Sequence, residues 1–288
     1  MRSVLFYSIF FCLTLSLSAF EKIDWSKGRN VQTGVLHVAL DLKQPRLMKV
    51  NILRVDLKTK GLYFTATPRD PDWGKPMPDF PSKTIRAARK RTRNFMIEAR
   101  NQGVDMIVAS NASAWSPFRR PWNHKYSDPT GLNILNGVVV SDNPTRSIFV
   151  VYKDGTPAIL SNVPKEDYPR IQVAVSGFAI TAKNGKVTIH DKPLHPRTAF
   201  GISADKRYFY LMTVDGRQPG RSSGCTQQET GELLLAAGAA DAINMDGGGS
   251  STLLYWDAAE KKPVSLCKHR GGHERVVGSN IGICIAGQ

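Results

Sequence analysis

Apolar and polar residues alternate from Gly34 to Leu42 (Val35, Leu36, Val38, Leu40, Leu42) and again from Met48 to Leu57, and Leu62 to Thr67 follows closely. This period of two predicts a meander of three strands. A proline-rich loop, Pro68 to Pro81, then carries Trp73 and Phe80, and its length suits a functional rim better than an inert connector. Beyond it the period changes. From Ser82, the expected N-cap, to Gly103, residues Ile85, Ala88, Thr92, Phe95, Met96 and Ala99 recur at helical spacing. Arg86, Arg89, Lys90, Arg93 and Arg100 occupy the opposite face, a pattern more often solvated than anion-binding.

Val104 to Ala109 reads as the next strand, running into Ser110-Asn111-Ala112-Ser113-Ala114-Trp115 and a loop with Phe118, Arg119, Arg120, Trp122, His124 and Tyr126. Rings among arginines suit stacking on a sugar and pairing with a phosphate, or equally a loop packed down by its own aromatics. Leu132 to Val140, Ser147 to Tyr152, Pro157 to Leu160, Ala174 to Ala182 and Lys186 to His190 are strands around two turns, Lys153-Asp154-Gly155 and Lys183-Asn184-Gly185. Phe200 to Ser203 pairs with Tyr208 to Val214. Thr226-Gln227-Gln228-Glu229 is a capping box that opens a helix with Leu233, Leu234, Ala236, Ala237 and Ala240 on its buried face. That helix returns the chain to a short strand, Ala242 to Met245; Thr252 to Tyr255 leads away, and Arg275 to Ile283 closes the fold.

The fold class is therefore α+β: a mixed β-sheet core with few helices and a strand–helix–strand unit carrying the site. Its two strands end in Asp215-Gly216 and Asp246-Gly247, and as parallel neighbours they would bring both carboxylates to one crevice. The chain divides into residues 1–19, a strand meander with a basic helix over 20–103, and the site-bearing domain over 104–288.

The 288 residues are 41% apolar, ample for a packed core, and carry a formal charge of +15, which favours anionic partners. Nucleic acid is not among them, because no recognition motif or aromatic-interleaved basic platform is present. Met1-Arg2-Ser3, an apolar run from Val4 to Leu17 and the closing Ser16-Leu17-Ser18-Ala19 form a secretory signal peptide pattern, cleaved after Ser18 or Ala19. The run is short for a bilayer span and no other stretch is long enough, so the expectation is a periplasmic or extracellular protein without stable membrane insertion. Cys12 leaves with the leader. Cys225, Cys267 and Cys284 allow at most one bridge, Cys267–Cys284 being the simpler pairing in a domain too large to need one. With neither C-x-x-C nor H-x-x-x-H spacing, no metal or cofactor is expected.

The chemistry gathers at Asn244-Met245-Asp246-Gly247-Gly248-Gly249-Ser250-Ser251. Three glycines in a row cost backbone entropy and make sense where the chain turns through positive φ or a ligand meets the backbone. Asn244 and Asp246 leave one face of the strand, with Asp246 the reactive group. Together with His195-Pro196-Arg197-Thr198-Ala199, Val214-Asp215-Gly216-Arg217 and the closing Asn280-Ile281-Gly282-Ile283, this run resembles the phosphodiester glycosidase domain over roughly Val104 to Ile285.

The resemblance implies cleavage of a glycosyl–phosphate bond in an exported, anionic glycoconjugate or polysaccharide. It makes Asp246 the nucleophile or base, Asp215 its partner and His195 a proton donor. Arg197 and Arg217, with Arg221 in reserve, are aimed at the phosphodiester. Asn111 and Asn244 hold sugar hydroxyls or orient Asp246, and the backbone of Gly247, Gly248 and Gly249 with Ser250 and Ser251 cradles the anion. Asn111-Ala112-Ser113-Ala114-Trp115 departs from the family's Asn-Gly-Gly-aromatic turn, so a narrower or differently shaped pocket is expected there. Two other readings stay open: a polysaccharide hydrolase acting without phosphate, and a carbohydrate-binding domain that has lost catalysis.

Overall fold

The structure, a computed structural model, describes residues 20–145 and 147–287; the leader expected over residues 1–19 lies outside them. It is mostly β-sheet, with two α-helices of useful length among the described residues, Thr92–Asn101 and Gln227–Ala237. No helix among those residues is long and apolar enough to cross a membrane.

An eight-stranded sheet forms the centre, in the order Arg29–Gln32, Val35–Leu42, Met48–Asp56, Tyr208–Val214, Arg197–Ile202, Asp241–Asn244, Ala179–Lys183, Lys186–Val187. Every pairing in it is antiparallel. A five-stranded sheet runs Lys262–Ser265, Leu253–Asp257, Asp105–Asn111, Asn280–Ile285, Leu62–Ala66, and another gathers the strands between Leu132 and Ser176. The strands at the centre are buried on both faces, which is why Arg197–Ile202 and Tyr208–Val214 read as near-continuous apolar runs. One face of the large sheet, with Leu53, Phe200, Phe209 and Ile243, packs against Phe64 and Ile283 of one small sheet and Phe149 and Val173 of the other. Its opposite face, with Ile52, Ala199, Met212 and Ala242, is covered by Leu233, Leu234 and Ala237 of the second helix. Phe95 and Met96 of the first helix cover the far side of the Asp105–Asn111 sheet.

Several expectations are corrected here. The strands ending before Asp215 and Asp246 are not parallel neighbours, because Arg197–Ile202 lies between them and pairs with both. Leu62–Ala66 leaves the opening meander and pairs with Asn280–Ile285 in the other sheet. Residues 20–103 and 104–288 consequently share both sheets, since Met48–Asp56 is also bonded along its length to Tyr208–Val214. The first helix starts at Thr92, not Ser82. Ala87 and Ala88 pair with Ser127 and Tyr126, and Lys90 bridges to Val277, so the backbone before Thr92 is already committed. Nor is its basic face simply solvated: Arg86 lies 4.7 Å over Trp73, Arg89 4.3 Å over Trp115, and Arg100 pairs with Asp105. Leu132 to Val140 is a hairpin turning at Asn136 (φ 51°) and Gly137 (φ 82°). Ala174 to Ala182 is two strands in two sheets, broken at Gly177-Phe178. Cys225, Cys267 and Cys284 are buried free thiols.

The three-sheet contact centres on Phe209, stacked on Phe149 at 4.7 Å and edge-on to Phe64 at 5.4 Å. Phe209→Ala is expected to cost about 3–5 kcal/mol, read as a lower denaturant midpoint at unchanged slope. A loss below about 1 kcal/mol would contradict a core held by this ring.

Candidate active site

The glycine turn leaves the Asp241–Asn244 strand at the edge of the core and is pinned on both sides. Met245 N–H donates to Thr198 O at 2.8 Å, Asp246 N–H to Ala112 O at 3.0 Å and Gly248 N–H to Pro196 O at 2.8 Å. Asn111, fully buried, ties the turn to its surroundings. Its Nδ2 donates to Asp246 O at 2.7 Å, while Oδ1 accepts from Thr198 Oγ1 and Thr252 N–H, each at 2.9 Å. Asn244 is buried as well, with Nδ2 on Met245 O at 3.2 Å and Oδ1 unpartnered. Both asparagines therefore position the turn from behind; neither is presented to a sugar.

The glycines answer to close contacts. Gly248 takes φ 65°, and a Cβ on Gly249 would lie 2.4 Å from Arg275 Nη2. Two guanidiniums lie against this backbone, Arg217 beside Gly248 and Arg275 on Gly249, and Arg275 also donates to Ser250 Oγ at 3.3 Å. Arg217 itself sits at φ 56°, a left-handed conformation rare for a residue with a side chain and a common mark of functional sites. Its Nη2 donates to His195 Nδ1 at 2.8 Å, which places the histidine's own proton on Nε2. Burial, then the Arg197 and Arg217 charges, hold His195 below the usual imidazole value.

A cleft of about 220 Å³ opens here, walled by Asp215, Arg217, Gly248, Gly249, Ser251, Lys268, His269, Arg270, His273 and Arg275 among others. Asp246 precedes the wall residues Gly248 and Gly249 in the chain and lies behind them, not in the wall itself. Burial pushes its carboxyl up to about 6, against the opposing pull of Ser250, the Arg275 charge and the Gly247 N–H. Ser251 Oγ is buried without a partner, so its hydroxyl is uncommitted.

Asp215 differs. It is 3% exposed, accepts from Arg221 Nη1 at 2.6 Å and from Lys268 N–H at 3.1 Å, and its carboxyl is raised by burial and drawn back by Arg221. Its strand and that of Asp246 are two positions apart in the sheet, about 10 Å at ordinary strand spacing. Asp215 and Arg221 thus brace the cleft as an ion pair. Arg197 is buried too and turns to structure: Nε donates to Cys225 O at 3.0 Å, Nη2 to Pro193 O at 2.9 Å, with Asp191 at 3.6 Å. It does not line the cleft as expected.

Sequence reasoning missed Lys268, His269, Arg270, His273 and Arg275. The signal was present, five basic or imidazole side chains within the eight residues from Lys268 to Arg275. Trp256 to Gly272 reads as a polar excursion and Arg275 as the start of the closing strand, because nothing local shows that the segment folds back over the glycine turn. Among the described residues, no group of three or more His, Cys, Asp or Glu side chains is placed to hold a metal ion.

A raised carboxyl beside two guanidiniums, with a spare hydroxyl, is an arrangement whose chemistry suits an anion. The family model described as phosphodiester glycosidase matches residues 104–284, and the chain belongs to that family. The zebrafish N-acetylglucosamine-1-phosphodiester alpha-N-acetylglucosaminidase catalytic domain, auto-inhibited by its pro-peptide, shares the fold at TM-score 0.61 and 17% identity, over 93% of this chain and 87% of that one. A hypothetical protein from Synechocystis (TM-score 0.55, 12% identity) is similar over 88% of this chain and 62% of its own. A putative exported protein from Burkholderia pseudomallei K96243 (TM-score 0.53, 13% identity) is similar over 84% and 75%. At these identities the likeness is one of fold. The SPbeta prophage-derived uncharacterized protein YomE of Bacillus subtilis (strain 168) is 32% identical over 161 residues, half of this chain and 23% of that protein, so the chain spans under a quarter of its length.

The native state holds Asp246 protonated more tightly than the unfolded chain does, so its contribution to stability is complete below pH about 4 and is lost as pH rises through about 6. Asp246→Asn should therefore gain stability over the natural protein across that interval, by roughly 3 kcal/mol at most, and the two should converge in acid. Gly249→Ala, by displacing Arg275, should move the Asp246 titration upward, as read by carboxyl carbon NMR; an unmoved titration would contradict the contact.

Proposed function

We propose that this protein hydrolyses a glycosyl phosphodiester, breaking the bond between an anomeric carbon and its phosphate oxygen. The observation that carries the reading is the Arg275 guanidinium, which acts on the buried Asp246 carboxyl and also belongs to a cleft wall with Arg217, Lys268 and Arg270. A phosphate is a good leaving group, so the demand is to stabilise its developing charge and the oxocarbenium-like centre rather than to protonate strongly. Arg217 and Arg275 supply fixed positive charge, and the Ser251 hydroxyl supplies an uncommitted donor. Asp246, ionised above pH about 6, acts at the sugar as nucleophile or as base for water. His195, neutral with its proton on Nε2, can donate a hydrogen bond from that nitrogen to a phosphate oxygen.

The substrate class is an anionic glycoconjugate outside the cytoplasm. The leader pattern of residues 1–19 supports export, and the description of one fold relative as a putative exported protein accords with it.

With a sugar-1-phosphodiester, kcat/KM should rise through pH about 6 as Asp246 ionises. Asp246→Asn should lower kcat by about 10²–10⁴-fold. Sugar binding retained in both proteins without turnover in either would contradict the reading and leave a binding domain.

A further inference from the structure

Phe118 and Trp122 are exposed at 55% and 51%; Phe178 is also exposed, at 59%, but these two pack on each other, and nothing in the reaction above uses them. They belong to an exposed run, Phe118-Arg119-Arg120-Pro121-Trp122-Asn123. The run is held rigidly from below. Arg89 lies over Trp115 and donates to Trp122 O at 3.1 Å and His124 O at 2.8 Å, and His124 packs edge-on against Phe80 at 5.0 Å. The loop is therefore only half explained by self-packing: Trp115 and His124 are buried anchors, while Phe118 and Trp122 are lifted to solvent by them.

Their position is set by Arg275. That guanidinium packs on Gly249, donates to Ser250 Oγ, and also lies 5.1 Å from the Phe118 ring centroid; Trp122 follows a further 5.1 Å on, centroid to centroid. One side chain thus touches both the glycine turn and the first ring of an exposed pair. The pair thus begins at Arg275, a residue of the cleft wall, and its two rings meet edge to face at 61°.

We propose that Phe118 and Trp122 form a second sugar subsite, so that the substrate is an oligosaccharide carrying the glycosyl phosphodiester rather than a single-sugar diester. This rests on the function proposed above and adds the length of the substrate to it. Flat, rigid rings match the C–H face of a pyranose, and the flanking Arg119, Arg120 and Asn123 can meet its hydroxyl rim or a further phosphate. A lipid surface is the poorer fit, because arginines and a proline interrupt the run where an apolar patch would need continuity.

The test uses the full chain carrying Asp246→Asn and calorimetric titration with oligosaccharides of two, three and four repeating units, left by partial mild-acid cleavage of a glycosyl-phosphate polymer so that each keeps a glycosyl phosphodiester. Affinity should tighten about tenfold from two units to three, and Trp122→Ala should abolish that gain while Trp122→Phe keeps most of it. Trp122 is half exposed, so its truncation leaves the fold in place, and Phe118→Ala provides the second variant. Length-independent affinity, or a gain that survives Trp122→Ala, overturns the proposal. So does binding to phosphatidylglycerol vesicles that Trp122→Ala loses, with no effect on the oligosaccharides. Hydrolysis separates the two claims. A natural chain that binds by length but never cleaves overturns the function and keeps the subsite, whereas cleavage without length dependence does the reverse.

Discussion

The buried carboxamide of Asn111 joins three pieces of chain that are distant in sequence and would otherwise diverge. It gives a proton to the Asp246 carbonyl and receives protons from the Thr198 hydroxyl and the Thr252 amide. Those bonds come from the end of one sheet, the start of a strand in another, and the far side of the glycine turn. In a site closed to water, each broken bond would leave a buried polar group unsatisfied, at a cost of about 1–3 kcal/mol. The turn is held from within, so its glycines are free to serve the contacts on the outside. This explains why the residue is kept while the turn that follows, Ala112-Ser113-Ala114, has a composition of its own.

What the turn presents is governed by desolvation. Asp246 would titrate like any carboxyl in water, and its burial beside the glycine backbone raises it; Arg275 and Ser250 limit the rise without abolishing it. The result is a carboxylate that charges within the range where enzymes work, next to guanidiniums whose charge is fixed. Asp215 was placed by the same sheet end but received its own arginine and a backbone donor, which makes it a strut. Two carboxylates of similar sequence context, each before a glycine at a strand end, differ because Asp215 is held by Arg221 and a backbone donor, whereas at Asp246 Ser250 and the Arg275 charge only partly offset its burial.

Much of this was legible in the residues. Strand alternation located Val35–Leu42, Met48–Asp56 and Tyr208–Val214 within a residue or two, and the Thr226 capping box marked the second helix, because these signals are local. The glycine turn announced itself for the same reason. Pairing partners were hidden. Nothing near Leu62 says that its mate is Ile285, or near Arg197 that its strand separates two others, since strand order is decided by packing across the whole core. Ile85 and Ala88 sit at helical spacing, yet the backbone around them finds better partners in Tyr126, Ser127 and Val277. Arginines were the hardest to place: Arg197, Arg217, Arg221 and Arg275 look alike in sequence, and only the fold shows that the first and third brace the structure while the other two lie against the glycine turn.

The account stands on the bond that breaks. Hydrolysis of a glycosyl phosphodiester in ¹⁸O-labelled water, followed by phosphorus NMR of the released phosphate monoester, tests this directly. If Asp246 directs attack at the anomeric carbon, the phosphate leaves with its original oxygens and shows no isotope shift. An ¹⁸O shift on phosphorus would mean that water attacks the phosphate instead, and the basic cleft would then belong to a phosphodiesterase with no glycosidic chemistry at all.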